Sequence, residues 1–300
     1  MIRFVLTVIF ACLRAVPMSI AVAAGRLLGW LLRVVLRFRR RVIRTNMDIV
    51  FGDRLDAAGR VEMERQIYEH LGLLTVELLR LPGCHPGTHQ AVVAAGSRAE
   101  FDKALARGNG VIFLTGHVGN WEIGGVATTA AGYTLHGVGK AMKNPVAEEV
   151  RKMIRDDNGV VNIPARNSVR EIIRLLRAGK MIAFPLDQNR TREEGIFVDF
   201  FGVPACTMDS LAVLAGRTDA TIVPAALYRN PDLRSYTMVV RPMFELEHPH
   251  EDAKANVRHN TRRLNQALEE LIMEHPAQWM WIHKRWKTRP ADESPPRVVY

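Results

Sequence analysis

From residue 98 onward the chain alternates short apolar runs with amphipathic stretches at helical spacing, and this alternation restricts the fold more than any other feature of the sequence. Residues 111–114, 134–138, 160–163, 181–185, 221–228 and 236–240 carry the β-branched, apolar character of buried strands. Residues 121–130, 145–156, 169–178 and 205–217 read as the helices between them, with 98–106 ahead of the first strand and a long amphipathic helix over 253–275 closing the series. Farther upstream, residues 57–81 also have helical spacing and stop at Pro82-Gly83. Strands that alternate with helices specify an α/β fold with a largely parallel sheet. In such sheets ligands bind beyond the carboxyl ends of the strands. His117 follows the strand at 111–114 and Asp187-Gln188 follows the strand at 181–185, so both fall on that rim.

The segment Gly110-Val-Ile-Phe-Leu-Thr-Gly-His117-Val-Gly-Asn120-Trp-Glu122-Ile-Gly-Gly125 holds the strongest chemical signal. A histidine near a carboxylate at the mouth of a sheet suits general-base chemistry on a hydroxyl. Five residues of helix turn through about 500°, which would put His117 and Glu122 on different helix faces. His117 therefore belongs on the loop and Glu122 in the first helical turn, where Asn120 is the expected N-cap and the helix dipole favours a carboxylate. The glycines around them allow close approach of a ligand to the backbone.

Other chemistries find little support. Cys12, Cys84 and Cys206 are far apart and form no CxxC pair, and no histidine pair at metal-ligand spacing accompanies His117. His248 and His250 lie in a polar, proline-flanked loop. There is no GxSxG elbow, Walker loop or strand-linked GxGxxG. The net charge of +10 implies a negatively charged partner: nucleic acid, an anionic membrane or an acidic carrier. No helix-turn-helix, zinc-finger or RNP pattern points to nucleic acid. Lys140, Lys143, Arg155, Arg166, Arg190 and Arg192 are candidate phosphate ligands on the strand-end rim. The aromatic stretch 195–204 either walls an acyl chain or packs on the core. The alternation of tryptophan with cations over 278–287 suits an interface, or else a core strand.

The N-terminus is apolar over 4–24 and again over 27–36, but Arg14, Pro17 and Arg33 interrupt it, and Arg37, Arg39, Arg40, Arg41 and Arg44 follow. A plain spanning helix needs about 20 apolar residues with few charges. The pattern fits a helix or helical hairpin in the membrane interface, its arginines reaching headgroups on the cytoplasmic side. A buried helix with a solvated basic end and a secretory signal ending near Cys12 are the competing readings.

Taken in order, these pieces resemble the bacterial lipid A biosynthesis (lauroyl/myristoyl) acyltransferase family, within the HxxxxD/E lysophospholipid acyltransferase superfamily. The residues that carry the resemblance are Arg44-Thr45-Asn46 through Phe51, the His117–Glu122 motif, Lys140-Ala-Met-Lys-Asn144-Pro145, Arg155, Asp187-Gln188 with 197–207, and 279–290. They span nearly the whole chain. The resemblance implies a single glycerolipid-acyltransferase-like α/β domain over 46–290 with a mostly parallel central sheet. A membrane-associated helical segment over 1–45 would precede it and a flexible tail over 291–300 would follow. It implies an O-acyltransferase that moves a fatty acyl group from acyl-carrier protein, or acyl-CoA, to a hydroxyl of a membrane glycolipid such as a lipid A precursor. Another lysolipid or a phosphatidylinositol mannoside is the alternative acceptor, and a non-catalytic peripheral lipid-binding protein is the alternative class. His117 would act as general base and Glu122 would fix its tautomer. Asn120, Lys140, Asn144, Arg155, Asp187 and Gln188 would bind substrate, with Lys140 or Arg155 on acceptor phosphate. No metal, no cofactor and no nucleic acid is implied, and the enzyme would work at the cytoplasmic face of the inner membrane.

Overall fold

The computed structural model describes residues 2–82, 90–139, 142, 144–164, 168–293, 298 and 300. Two helices, α1 (Ile2–Ala15) and α2 (Met18–Trp30), are separated by Pro17, and a π-turn over Leu31–Val35 extends the second. Helices α3 (Arg40–Phe51) and α4 (Ala57–Arg80) follow, α4 capped by Asp56. Then come β1 (Gln90–Val93), α5 (Ala95–Ala106), β2 (Val111–Thr115), α6 (Trp121–Ala130), β3 (Leu135–Gly139), α7 (Pro145–Asp157), β4 (Val161–Pro164), α8 (Val169–Arg177) and β5 (Met181–Pro185). The remainder is β6 (Ile196–Phe200), β7 (Val203–Thr207), α9 (Ser210–Thr218), β8 (Thr221–Arg229), β9 (Ser235–Val240) and α10 (Ala253–Glu274).

Seven of the described strands form one sheet in the order β1-β9-β8-β2-β5-β3-β4. The pairs from β8 through β4 are parallel, and β9 is antiparallel to β8. The α/β class and the mostly parallel sheet expected from the alternation are therefore what the chain adopts. Side-chain alternation along each strand feeds two cores, one on each face. Ile112 and Leu114 of β2 join a core with α8, α9 and α10, whereas Val111 and Phe113 join one beneath α5 and α6. The central strand β8 is buried along its whole length, as a strand covered on both faces must be.

One local expectation is corrected, and two readings that the sequence left open are decided in favour of the core. Residues 205–207, read as the start of a helix, complete strand β7, and the helix begins at Ser210. The 195–204 stretch is the β6–β7 hairpin rather than an open acyl-chain wall; Phe200 is fully buried against Trp279 and Trp286. Trp279, Trp281 and Trp286 are likewise core residues, not an exposed aromatic interface.

Candidate active site

The register of two strands builds the site. β2 and β5 run parallel with Val111 opposite Met181 and Thr115 opposite Pro185. Two residues beyond each end, His117 and Asp187 emerge side by side. His117 Nδ1 lies 2.8 Å from Asp187 Oδ1, and the His117 backbone N–H donates to Oδ2 at 2.9 Å. Trp279 Nε1–H donates to the same Oδ2 at 3.0 Å. Gly116 lies so close to this carboxylate that a Cβ there would stand 3.2 Å from Asp187 Cγ.

Burial alone would push the Asp187 carboxyl up, but the His117 ring and three N–H donors hold it well below the usual carboxylate range. An ionised Asp187 only accepts, so Nδ1 carries the proton and the lone pair of Nε2 is left for chemistry. Burial would also lower the imidazole pKa; the Asp187 charge and hydrogen bond outweigh it, Glu122 adds to them, and the net shift is upward from 6.5. The His117 ring packs edge-on against Trp121 at 4.8 Å. The exposed Gln188 amide rests 3.3 Å from Nε2.

The loop that carries His117 is clamped. Gly119 has φ +60°, and a Cβ on it would stand 1.7 Å from the Leu227 carbonyl oxygen, so only glycine fits. Its N–H donates to Gln278 O at 2.8 Å, and Met280 N–H donates to His117 O at 3.0 Å. Asn120 caps α6 through Ile123 N–H at 3.1 Å, as the sequence implied. Its Nδ2 donates to Glu77 Oε2 of α4 at 2.9 Å. Glu77 in turn holds the buried Arg229, with Nη2 2.7 Å from Oε2 and a second contact through Nε, and Arg229 Nη1 donates to His70 Nδ1 at 2.9 Å. Burial and that guanidinium keep His70 neutral, its pKa well below 6.5.

Several expected roles change. Glu122 sits in the first turn of α6 but pairs with Arg155 of α7, its oxygens 3.2 and 3.3 Å from Nη2 and Nε. The carboxylate that fixes the imidazole tautomer is thus Asp187, because strand register sets it against His117 while α6 turns Glu122 toward α7. Arg155 is not a free phosphate ligand: Asn162 Oδ1 accepts from it at 2.9 Å in addition to the Glu122 pair. Asn120 is fully buried with both ends of its amide engaged within the protein. Asn144 caps α7, accepting from Val146 N–H and Ala147 N–H. Arg192 donates to Arg289 O. Lys140, Lys143 and Arg166 lie outside the described residues.

Behind the Glu122–Arg155 pair the structure holds a pocket of about 70 Å³. Phe113, Leu135, Val138, Val160, Leu227 and Met238 give it an apolar lining. Among the described residues no group of three or more His, Cys, Asp or Glu side chains gathers as a metal site.

The profile of the bacterial lipid A biosynthesis acyltransferases matches residues 1–288. The chain belongs to this family. It is 26% identical over 296 residues to the lipid A biosynthesis palmitoleoyltransferase of Escherichia coli (strain K12), covering 93% of this chain and 88% of that protein. It is 31% identical over 126 residues to the lauroyltransferase of the same organism, covering 42% and 40% of the two chains. It is 28% identical over 188 residues to the myristoyltransferase, covering 62% and 56%. This lipid A-family acyltransferase thus carries its histidine in a pair with Asp187, a partner seventy residues away. Trp279, which completes the carboxylate's shell, belongs to the tryptophan-rich segment that sequence alone offered as an interface or as core.

Proposed function

We propose that this acyltransferase moves a fatty acyl group from a thioester to a hydroxyl of a lipid A precursor at the cytoplasmic face of the inner membrane. The observation that carries the reading is the His117–Asp187 pair, its Nε2 free of protein acceptors, in a member of this family. The acceptor hydroxyl approaches Nε2 and gives up its proton as its oxygen attacks the thioester carbonyl. The carbon–sulfur bond then breaks, and the proton passes from the imidazolium to the leaving thiolate. Asp187 stabilises the imidazolium formed between these steps. No acyl-enzyme is required, because the thioester is already activated.

The apolar pocket behind Glu122 suits part of the acyl chain, and the Glu122–Arg155 pair forms its polar rim. The excess of positive charge suits an anionic donor such as acyl-carrier protein, with its acidic surface, or the phosphate-bearing acyl-CoA. The names of the relatives, which specify lauroyl, myristoyl and palmitoleoyl transfer in lipid A biosynthesis, support a lipid A precursor as acceptor. Mass spectrometry of lipid A from a strain lacking the gene tests this: loss of one acyl chain, restored by the wild-type gene and not by His117→Ala, is expected. An unchanged lipid A profile would overturn the acceptor assignment.

A further inference from the structure

The stretch Met18–Val35 is apolar and long enough to cross a bilayer. At 1.5 Å per residue its 18 residues span about 27 Å, close to the thickness of the hydrocarbon core. Its surroundings argue against crossing. One face of α2, formed by Ala21, Gly25 and Gly29, is buried on α4. A Cβ at Gly29 would stand 2.4 Å from Tyr68 O, and one at Gly72 of α4 would stand 2.1 Å from Gly25 O, so the two backbones touch. The arginines of the apolar stretch are held by the same helix: Arg26 by Glu69 at 2.8 Å, and Arg33 by Val61 O at 3.2 Å and Glu64 at 3.8 Å.

Both ends of the stretch are also tied to the catalytic domain. At the start, the α1–α2 bend is fixed by Arg80 of α4, which donates to Val16 O at 3.0 Å and Arg14 O at 3.3 Å. Arg80 is one helical turn from Glu77, the residue that holds Asn120 in the active-site loop. At the far end, α3 runs directly from Arg40 and Arg44, both on Glu64, to Asn46, which donates to Trp281 O at 2.8 Å and His283 O at 2.9 Å. A helix fastened at both ends to one domain cannot place those ends on opposite sides of a membrane.

The face turned away from α4 is exposed and apolar. It carries Ile20, Leu27, Trp30, Leu31 and Val34, and α1 adds Phe4, Val5, Val8 and Ile9. Six arginines and no acidic residue lie between positions 33 and 44. Arg37, Arg39 and Arg41 are exposed at the end of this surface. An apolar face rimmed by unneutralised cations fits the surface of a bilayer containing anionic phospholipid.

We infer that α1 and α2, two helices joined at the Pro17 bend, both lie in one leaflet of an anionic membrane, α1 fixed to the catalytic domain by Leu6 and Phe10 against Met153 and α2 by its glycine face on α4, rather than forming a transmembrane anchor. The inference rests on the membrane location proposed above but is independent of acyl transfer, so both active and His117→Ala chains should behave alike in its test.

The test has two parts. The purified full chain is partitioned onto vesicles of phosphatidylcholine alone and of phosphatidylcholine with phosphatidylglycerol. Tighter binding to the anionic vesicles is expected, with the Arg37→Gln/Arg39→Gln/Arg41→Gln variant weaker by about fivefold per arginine, on the order of a hundredfold together. Binding to neither vesicle would remove the membrane location itself. In cells, a cysteine-free chain with Ser19→Cys and an epitope ahead of Met1 is probed with a membrane-impermeant maleimide and a protease. Both positions should react in inverted membrane vesicles and stay protected in intact spheroplasts. Reaction of either from the outside of spheroplasts would overturn the one-leaflet placement while leaving membrane binding intact.

Discussion

Replacing Asp187 with asparagine changes one atom's chemistry at the centre of the site. Oδ2 of Asp187 accepts from His117 N–H and Trp279 Nε1–H, whereas Oδ1 accepts from the ring. In the variant those two N–H donors select the amide oxygen, which turns the amide NH₂ toward Nδ1. Nδ1 must then accept, the proton moves to Nε2, and the base is lost. Loss of the charge-assisted bond alone is worth about 1.5–3 kcal/mol, or roughly ten- to 150-fold in rate. The wrong tautomer adds to it, as an Asp-to-Asn change does in a serine-protease triad, where the total is about 10⁴-fold. We expect kcat to fall by about 10³–10⁴-fold in a protein whose circular dichroism is unchanged. The assay is acyl transfer from acyl-carrier protein to a lipid A precursor, with ring nitrogen NMR reporting the tautomer. Because the base must be neutral, and Asp187 raises its pKa above 6.5, the acidic limb of the wild-type profile should lie above pH 6.5. Any residual activity of Asp187→Asn should show that limb at lower pH. A loss in kcat below tenfold, or a ring that keeps its proton on Nδ1, would refute the reasoning.

Three further outcomes follow from neighbouring contacts. Trp279→Phe removes one donor to Asp187 and should lower kcat about tenfold with KM retained, measured in the same assay. Glu77→Ala leaves Arg229 buried without its carboxylate and Asn120 without an acceptor, and should cost about 3–5 kcal/mol in urea unfolding. For Glu122→Gln and Arg155→Gln, a double-mutant cycle in kcat/KM should be strongly non-additive, the double variant being no worse than either single one.

The strands at 111–114 and 181–185 were legible because each is a short apolar run bounded by turn residues, and their order placed His117 and Asp187 on one rim. What sequence could not supply was their pairing. That β2 lies directly beside β5, with Thr115 opposite Pro185, is a tertiary fact, and it alone turns a shared rim into a hydrogen bond. Glu122 looked like the partner of His117 through nearness in sequence. The cap at Asn120 was readable, but not that Glu77 of α4 would occupy the other end of its amide. β1 is only four residues long and has too little pattern to stand out. The hairpin at 196–207 and the tryptophans after 278 have the same composition whether buried or exposed. Only the packing of Phe200, Trp279 and Trp286 against one another decides between the two.

The central claim is that His117 Nε2, with its proton held on Nδ1 by Asp187, is the base for transfer to a lipid hydroxyl. A single-turnover reaction of purified enzyme with acyl-carrier protein thioester and a lipid A precursor tests it most directly. The wild-type chain should release free carrier thiol and acylated lipid together. Folded His117→Ala should form neither above background, and full transfer by that variant would contradict the account.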